Sequence, residues 1–297
     1  MNLISKIGGA LSFVANHPVN RGRKFRAVAE YGFIQLAARF SPGDVCVEFP
    51  NNTRLLISPH MKGAAHFISP RLCEFEEMAF TMHFLRPDEL FADVGANIGA
   101  FSVLAGGVAG ARVKAFEPSP DTFEMLVRNL RLNGLHDRAK AIPAAVGRSV
   151  GETSFSAGLG AENHVTPESA AKNSPKVKVT TLDCEFAGDF PDLLKVDVEG
   201  FESEVFAGAT NTLRQPRLRA IIVERNNSGT RYHFDEERLH RQIRESGFIP
   251  CRYDPFGRKL TQVDDQTLGN IIYVRNMAAT NACLQTAPAF TLGNLTV

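Results

Sequence analysis

Two short stretches of this chain place ionisable side chains where apolar strands run out, the position at which an open sheet does chemistry. In Asp192-Leu193-Leu194-Lys195-Val196-Asp197-Val198-Glu199-Gly200 the apolar core reads as a central strand. A period of two puts Lys195, Asp197 and Glu199 on one side of it. Burying three ions in a row costs several kcal/mol each unless they are paired or near water, so they belong at a cleft over the strand's carboxyl end. A helix cap near Phe201 would explain one acid but not the alternating triplet. The other stretch, Phe91-Ala92-Asp93-Val94-Gly95-Ala96-Asn97-Ile98-Gly99, leads a strand into a turn with two glycines and then a helix. Backbone N–H groups can approach a ligand closely at such a turn. Glu117, at the end of Val113-Lys114-Ala115-Phe116-Glu117-Pro118, is placed to accept hydrogen bonds from both hydroxyls of a ribose.

The spacing separates two nucleoside ligands. A dinucleotide fingerprint phased on Gly95 needs glycine at 97 and 100, where the chain has Asn97 and Ala100, so the elements that admit a pyrophosphate are missing. S-adenosylmethionine has ribose and adenine without pyrophosphate, and its positive groups suit a carboxylate at the turn, which Asp93 supplies.

The elements that must hold these residues alternate. Strands are expected over 90–94, 112–117, 140–146, 192–198, 218–224, 248–253 and 270–275, with helices over 98–109, 121–133, 201–213 and 235–246, the pattern of βαβ units and a parallel sheet. Between 146 and 192 it changes to a strand (152–156), a Gly/Ala/Asn/Ser/Pro-rich loop (158–175) and another strand (176–181). Residues 259–263 and 270–275 read as antiparallel additions. Upstream lie a basic helical stretch around 21–39, a strand–turn–strand (45–49 and 54–57) and a helix over 72–85. Glu74, Glu76 and Glu77 open that last helix, where acids suit the macrodipole. The first fifteen residues read as an amphipathic helix rather than a signal peptide, because no small-x-small cleavage site follows. The apolar span 90–111 contains Asp93, Asn97 and five glycines, which marks strand, turn and helix rather than a membrane span.

Composition narrows the partners. With 33 Lys+Arg against 32 Asp+Glu, the net charge of +1 leaves no overall footprint for nucleic acid or an anionic membrane, a local patch aside. Twenty-two Phe, 4 Tyr and no Trp provide core filling and few polar stacking platforms. Five scattered cysteines with no C-x-x-C pair support neither a zinc site nor a disulfide framework and fit a reducing, cytoplasmic compartment.

Together these motifs resemble the FkbM family of S-adenosylmethionine-dependent methyltransferases. The resemblance rests on the Asp93 to Gly99 turn, Ala115-Phe116-Glu117-Pro118, Arg128-Asn129-Leu130-x-Leu132-Asn133-Gly134, Thr181-Leu182-Asp183 and Leu194-Lys195-Val196-Asp197-Val198-Glu199-Gly200-Phe201-Glu202. It implies an α/β class I methyltransferase fold, a Rossmann-like seven-stranded sheet, mostly parallel with one reversed strand near its edge. An irregular N-terminal α+β cap (1–89) precedes that domain (90–275), and a C-terminal tail (276–297) follows. The resemblance also implies O-methylation of a hydroxyl on a sugar, glycan or secondary metabolite. Asp93, Gly95, Ala96, Asn97 and Gly99 are then expected at the methionine end of the cofactor, Glu117, Pro118 and Ser119 at the ribose, and Ala145, with Ala144, as the adenine wall. No Asp or Asn follows the third strand to meet the adenine amine.

A sugar hydroxyl must lose its proton near the transition state, and Asp197 and Glu199 stand as bases with Lys195 as their partner. His164, in the inserted loop, is a second candidate. Glu224 is expected to line the acceptor pocket or to join Asp197 around a divalent cation, and with no coordination pattern in the sequence no metal site is assigned. The partner is a hydroxyl-bearing small molecule or glycan, with no nucleic acid and no integral membrane segment. Two competing readings are a nucleotide-dependent reductase, which lacks its glycines, and a non-catalytic cofactor-binding protein, against which the Lys195, Asp197, Glu199 triplet counts.

Overall fold

The computed structural model describes residues 3–40, 43–58, 72–156, 164–166, 174–226, 228–232, 234–264, 267–293 and 295–297. Helices α1 (Leu3–Asn16) and α2 (Lys24–Phe40) come first, then the strands β1 (Val45–Glu48) and β2 (Arg54–Ile57) and helix α3 (Phe75–Phe84). The alternating part begins with β3 (Leu90–Val94), α4 (Ala100–Val103, continued by a π turn over Leu104–Val108), β4 (Arg112–Phe116), α5 (Pro120–Leu132) and β5 (Ala139–Ile142). Next come β6 (Ala145–Val146), β7 (Gly151–Ser154), β8 (Lys176–Thr180), α6 (Leu182–Glu185), β9 (Leu193–Val196), α7 (Glu202–Ala207), α8 (Thr210–Arg214) and β10 (Ala220–Arg225). The chain ends with α9 (Glu236–Glu245), β11 (Ile249–Asp254), β12 (Lys259–Gln262), β13 (Gly269–Val274), α10 (Met277–Gln285) and the short pair β14 (Thr291–Leu292) and β15 (Leu295–Thr296).

Eight strands form the main sheet in the order β12-β11-β13-β10-β9-β3-β4-β5. β3, β4, β5, β9 and β10 are parallel; β13 runs antiparallel between β10 and β11, and β12 folds back on β11. The expected seven strands are therefore present with one reversed, and the hairpin partner β12 adds an eighth at the edge. Every residue of β3 is buried, as a central strand covered on both faces requires. Period-two alternation sorts its neighbours: Phe91, Val113, Leu193 and Ile222 join one hydrophobic cluster, while Ala92, Phe116, Leu194 and Ile221 join the other. The first cluster also holds Leu55 and Ile57 of β2 and Phe80 and Phe84 of α3, so this part of the cap shares the sheet's core. Helix α10 lies on the same side, where the Arg86 guanidinium donates to the Cys283 carbonyl.

Four of the differences from expectation have a clear local reason. The strand foreseen over 140–146 breaks at Pro143, which has no N–H for the ladder, and β6 leaves to pair with β8 in a three-stranded sheet. The helix foreseen over 201–213 divides at Gly208, where a Cβ would lie 2.1 Å from the Gly147 carbonyl oxygen. The helix foreseen over 98–109 starts at Ala100, because the turn persists to Gly99 at φ +88°. Finally, β9 ends at Val196, so Asp197 and Glu199 belong to the following turn rather than to the strand. Of the loop expected over 158–175, only 164–166 and 174–175 fall among the described residues.

Candidate active site

The turn after β3 is fastened to the end of β4. Gly95 adopts φ +77°, and the N–H groups of Gly95 and Ala96 both donate to the Phe116 carbonyl at 3.0 Å. A Cβ on Gly95 would sit 1.8 Å from the Asp197 carbonyl oxygen, so this glycine lets the turns after β3 and β9 touch through their backbones. Asn97, at φ +52°, points its N–H at Glu117 Oε2 (3.0 Å), while Ser119 N–H donates to Oε1 (2.9 Å). Pro118 shapes that return through its fixed φ. A carboxylate has about four acceptor positions, so both oxygens of Glu117 keep capacity for two hydroxyl donors. Burial pushes the Glu117 carboxyl up to about 7, against the pull of the two backbone donors. The chain beyond β5 passes alongside: Glu117 N–H donates to the Ile142 carbonyl, and Ala144 and Ala145 are buried just after it.

Asp93 is buried at the end of β3. Its Oδ2 accepts from Ser102 Oγ at 2.6 Å, whereas Oδ1 is buried without a hydrogen-bond partner. Burial raises its carboxyl against the opposing pull of Lys195. An orphaned acid oxygen beside a glycine turn and a two-oxygen ribose acceptor fits the positively charged methionine end of S-adenosylmethionine. The residues present thus suit that cofactor.

Lys195 is the centre of charge on the adjacent strand. Only 4% exposed, its Nζ donates to Asp197 Oδ2 at 2.8 Å and lies 4.7 Å from the Phe101 ring centroid. Burial works to neutralise the ammonium, but Asp197, Glu74 and Asp93 outweigh it and hold Lys195 above its ordinary range. Glu199 follows at φ +56°, and the Val198 and Gly200 N–H groups donate to Glu202 Oε1 (3.1 and 3.2 Å), so Glu202 ties the turn that presents Asp197 and Glu199. Glu224, near the end of β10, is pushed up to about 8 by burial and then by the charges of Asp197 and Glu199. His164 is half-buried beside the small sheet, with its N–H on Ser156 Oγ; the neighbouring Val165 carbonyl accepts from Tyr232 Oη, whose ring packs on Phe201 at 5.5 Å. That chain of contacts carries the loop toward the turn after β9.

Glu74 is the residue that sequence reasoning assigned to a helix end and the structure assigns to the site. Its Oε2 accepts from Asn270 Nδ2 at 2.8 Å, and Asn270 stands opposite Glu224 in the β10–β13 register. Burial raises the Glu74 carboxyl to about 7, with Lys195 pulling the other way. No local pattern marks it, because both partners come from elements far along the chain. Glu74 and Asn270 also line a cavity of about 570 Å³ whose walls include Phe75, Phe256 and Arg252. The two phenyl rings are 5.6 Å apart, and Arg252 approaches Glu77 at 3.6 Å.

Residues 93–250 match the family described as the methyltransferase FkbM domain. The chain is similar to hexuronic acid methyltransferase AglP of Haloferax volcanii, 37% identical over 144 residues that make up 46% of this chain and 56% of that one. It is also similar to methyltransferase sdnD of Sordaria araneosa, 29% identical over 185 residues, 50% of this chain and 71% of that one. The chain thus spans about half the length of the first of these relatives. Among solved structures, precorrin 8w decarboxylase of Methanobacterium thermoautotrophicum superposes with a TM-score of 0.42 at 16% identity, over 74% of this chain and 96% of that one.

Proposed function

This chain belongs to the FkbM methyltransferase family, and from that premise we propose that it transfers the methyl group of S-adenosylmethionine to a hydroxyl of a sugar acceptor. What supports the reading is one juxtaposition: buried Lys195, paired with the partly exposed Asp197, is within electrostatic reach both of Asp93 in the cradle and of Glu74, which lines the cavity with Asn270.

When bound, S-adenosylmethionine supplies an electrophilic methyl group on a sulfonium, and displacement in line makes alignment the main catalytic requirement. Glu117 holds the ribose hydroxyls, Asp93 Oδ1 faces the charged methionine end, and the glycine turn from Gly95 to Gly99 lets backbone come close. Asp197 is the base that receives the hydroxyl proton: the Lys195 ammonium donates to one of its oxygens at 2.8 Å, leaving the other for the acceptor. Glu224 is unsuited to that task, because a carboxyl held near 8 is protonated at neutral pH and donates a hydrogen bond instead. Glu199, whose charge acts on Glu224, is a further acceptor contact, and His164 of the inserted loop remains the alternative base.

The cavity supports a hydroxyl-rich sugar. Glu74, Glu76, Glu77 and Asp254 line it with Arg252, and burial, which raises Glu74 to about 7 and Glu77 to about 8, lets these two carboxyls donate hydrogen bonds to hydroxyls as well as accept them, while Phe75 and Phe256 offer faces for a sugar's C–H side. Transfer of labelled methyl from S-adenosylmethionine onto neutral glycosides, uronic-acid glycosides and catechols tests this. Label on a glycoside, cut roughly 100-fold or more in kcat by Asp197→Asn with little change in cofactor affinity, is the expected result. Cofactor binding with no transfer to any hydroxyl, or full turnover in Asp197→Asn, overturns it.

A further inference from the structure

Helix α2 turns its apolar face away from the protein. Phe25, Phe33 and Leu36 are 95%, 72% and 57% exposed, and Ala29 and Gly32 are exposed between them. At 100° per residue these five positions fall in one stripe roughly 100° wide, whereas Ala27, on the opposite side, is fully buried. Amphipathic helices of globular domains place such a stripe inward.

The charge around the stripe names its occupant. Lys24 and Arg26, both exposed, flank it on either side, and Arg21 is exposed just before the helix. Residues 1–43 contain six Lys or Arg and only Glu30 as an acid, a net charge of +5 in a chain whose total is +1, so the remaining residues carry −4. An apolar stripe bordered by cations is the recognition chemistry of an anionic bilayer surface, in which the rings enter the acyl boundary and the cations meet the headgroups. No helix among the described residues is long and apolar enough to cross a membrane, so the helix would lie along the interface.

We infer that α2 docks this protein on the surface of an anionic phospholipid membrane. Its place in the fold gives the contact a purpose that rests on the methyltransferase reading above. Pro18, in the connection between α1 and α2, lines the cavity that holds Glu74, and the His17 ring packs at 6.0 Å on Phe75, another of its walls. A helix held at the membrane therefore sets the cavity beside the headgroup layer, where a lipid-linked sugar presents its hydroxyls.

Sedimentation of the full chain with phosphatidylcholine vesicles, with and without 30% phosphatidylglycerol, tests the surface directly and needs no methyl transfer, so its outcome is separable from that of the proposed reaction. The expected result is binding to the anionic vesicles at least tenfold tighter than to neutral ones, weakened at least tenfold in Phe25→Ser/Phe33→Ser/Leu36→Ser. S-adenosylhomocysteine affinity is unchanged in this variant. Should the triple variant lose cofactor binding, Arg21→Glu/Lys24→Glu, which alters exposed side chains only, must weaken vesicle binding by a similar factor. Absence of binding to anionic vesicles, binding that survives both variants, or a concentration-dependent dimer that the triple variant dissolves each overturns the inference.

Discussion

Replacing Glu117 by Gln tests the cofactor cradle through both affinity and its pH dependence. In the free protein burial holds this carboxyl near 7, while the two ribose hydroxyls that Glu117 is placed to accept favour the ionised form. Binding must therefore release a proton below that value. The fraction of ionised Glu117 falls about tenfold between pH 8 and pH 6, which corresponds to about 1.4 kcal/mol over those two pH units, so cofactor affinity should drop by roughly that factor. Gln keeps the shape and loses the charge. It can accept from only one of the Asn97 and Ser119 N–H groups, and it replaces charge-assisted bonds to the ribose by neutral ones, a loss of roughly 2–3 kcal/mol or about 30- to 150-fold in Kd at pH 8. Isothermal titration with S-adenosylhomocysteine at pH 6, 7 and 8, in buffers of different ionisation enthalpy, measures the affinity and the released proton together. Wild-type affinity in Glu117→Gln at pH 8, or the same proton release in both proteins, would show that Glu117 does not hold the ribose.

The cofactor-free protein should lose stability steadily as pH rises from about 5 to 8. Glu74, Glu117 and Glu202 are raised to about 7 and Glu77 and Glu224 to about 8, chiefly by burial, so their folded pKa values lie above the unfolded ones and their contribution is lost as pH rises from about 4.5 through 8. His17 and His83, lowered by burial to about 4, pull the other way below about 6.5, but two groups against five flatten the trend without reversing it. A thermal melt that is flat or still rising between pH 6 and 8 contradicts this account. Gly95→Ala should abolish cofactor binding, because its Cβ would meet the Asp197 carbonyl oxygen at 1.8 Å on a backbone at φ +77°. Gly151→Ala, with nothing within 4 Å of the added Cβ, should bind normally; equal affinity in the two variants refutes the close backbone crossing.

Much of the site is legible from the chain because its geometry is local. Asp93, Gly95, Asn97, Glu117 and Ser119 lie on two successive strand–turn–helix units, and parallel pairing of β3 with β4 brings the turns together automatically. Pairing β3 with β9 does the same for Lys195 and Asp197. Regular alternation misleads where the backbone leaves a regular element: Glu199 at φ +56°, and the break at Pro143, follow from turn geometry rather than from period.

Apolar periodicity, the glycine turns and the acids ending strands were thus enough to determine the parallel sheet and the turns that meet at its carboxyl edge, since each depends on neighbours within a few residues or on parallel strand pairing. The sequence alone did not decide which acids share Lys195, that Glu74 joins them through Asn270, or that α2 turns its apolar stripe outward. These depend on how α3, β13 and the N-terminal helices pack on the finished sheet. A buried charge is set by whatever surrounds it in space, and only the tertiary structure brings those surroundings together.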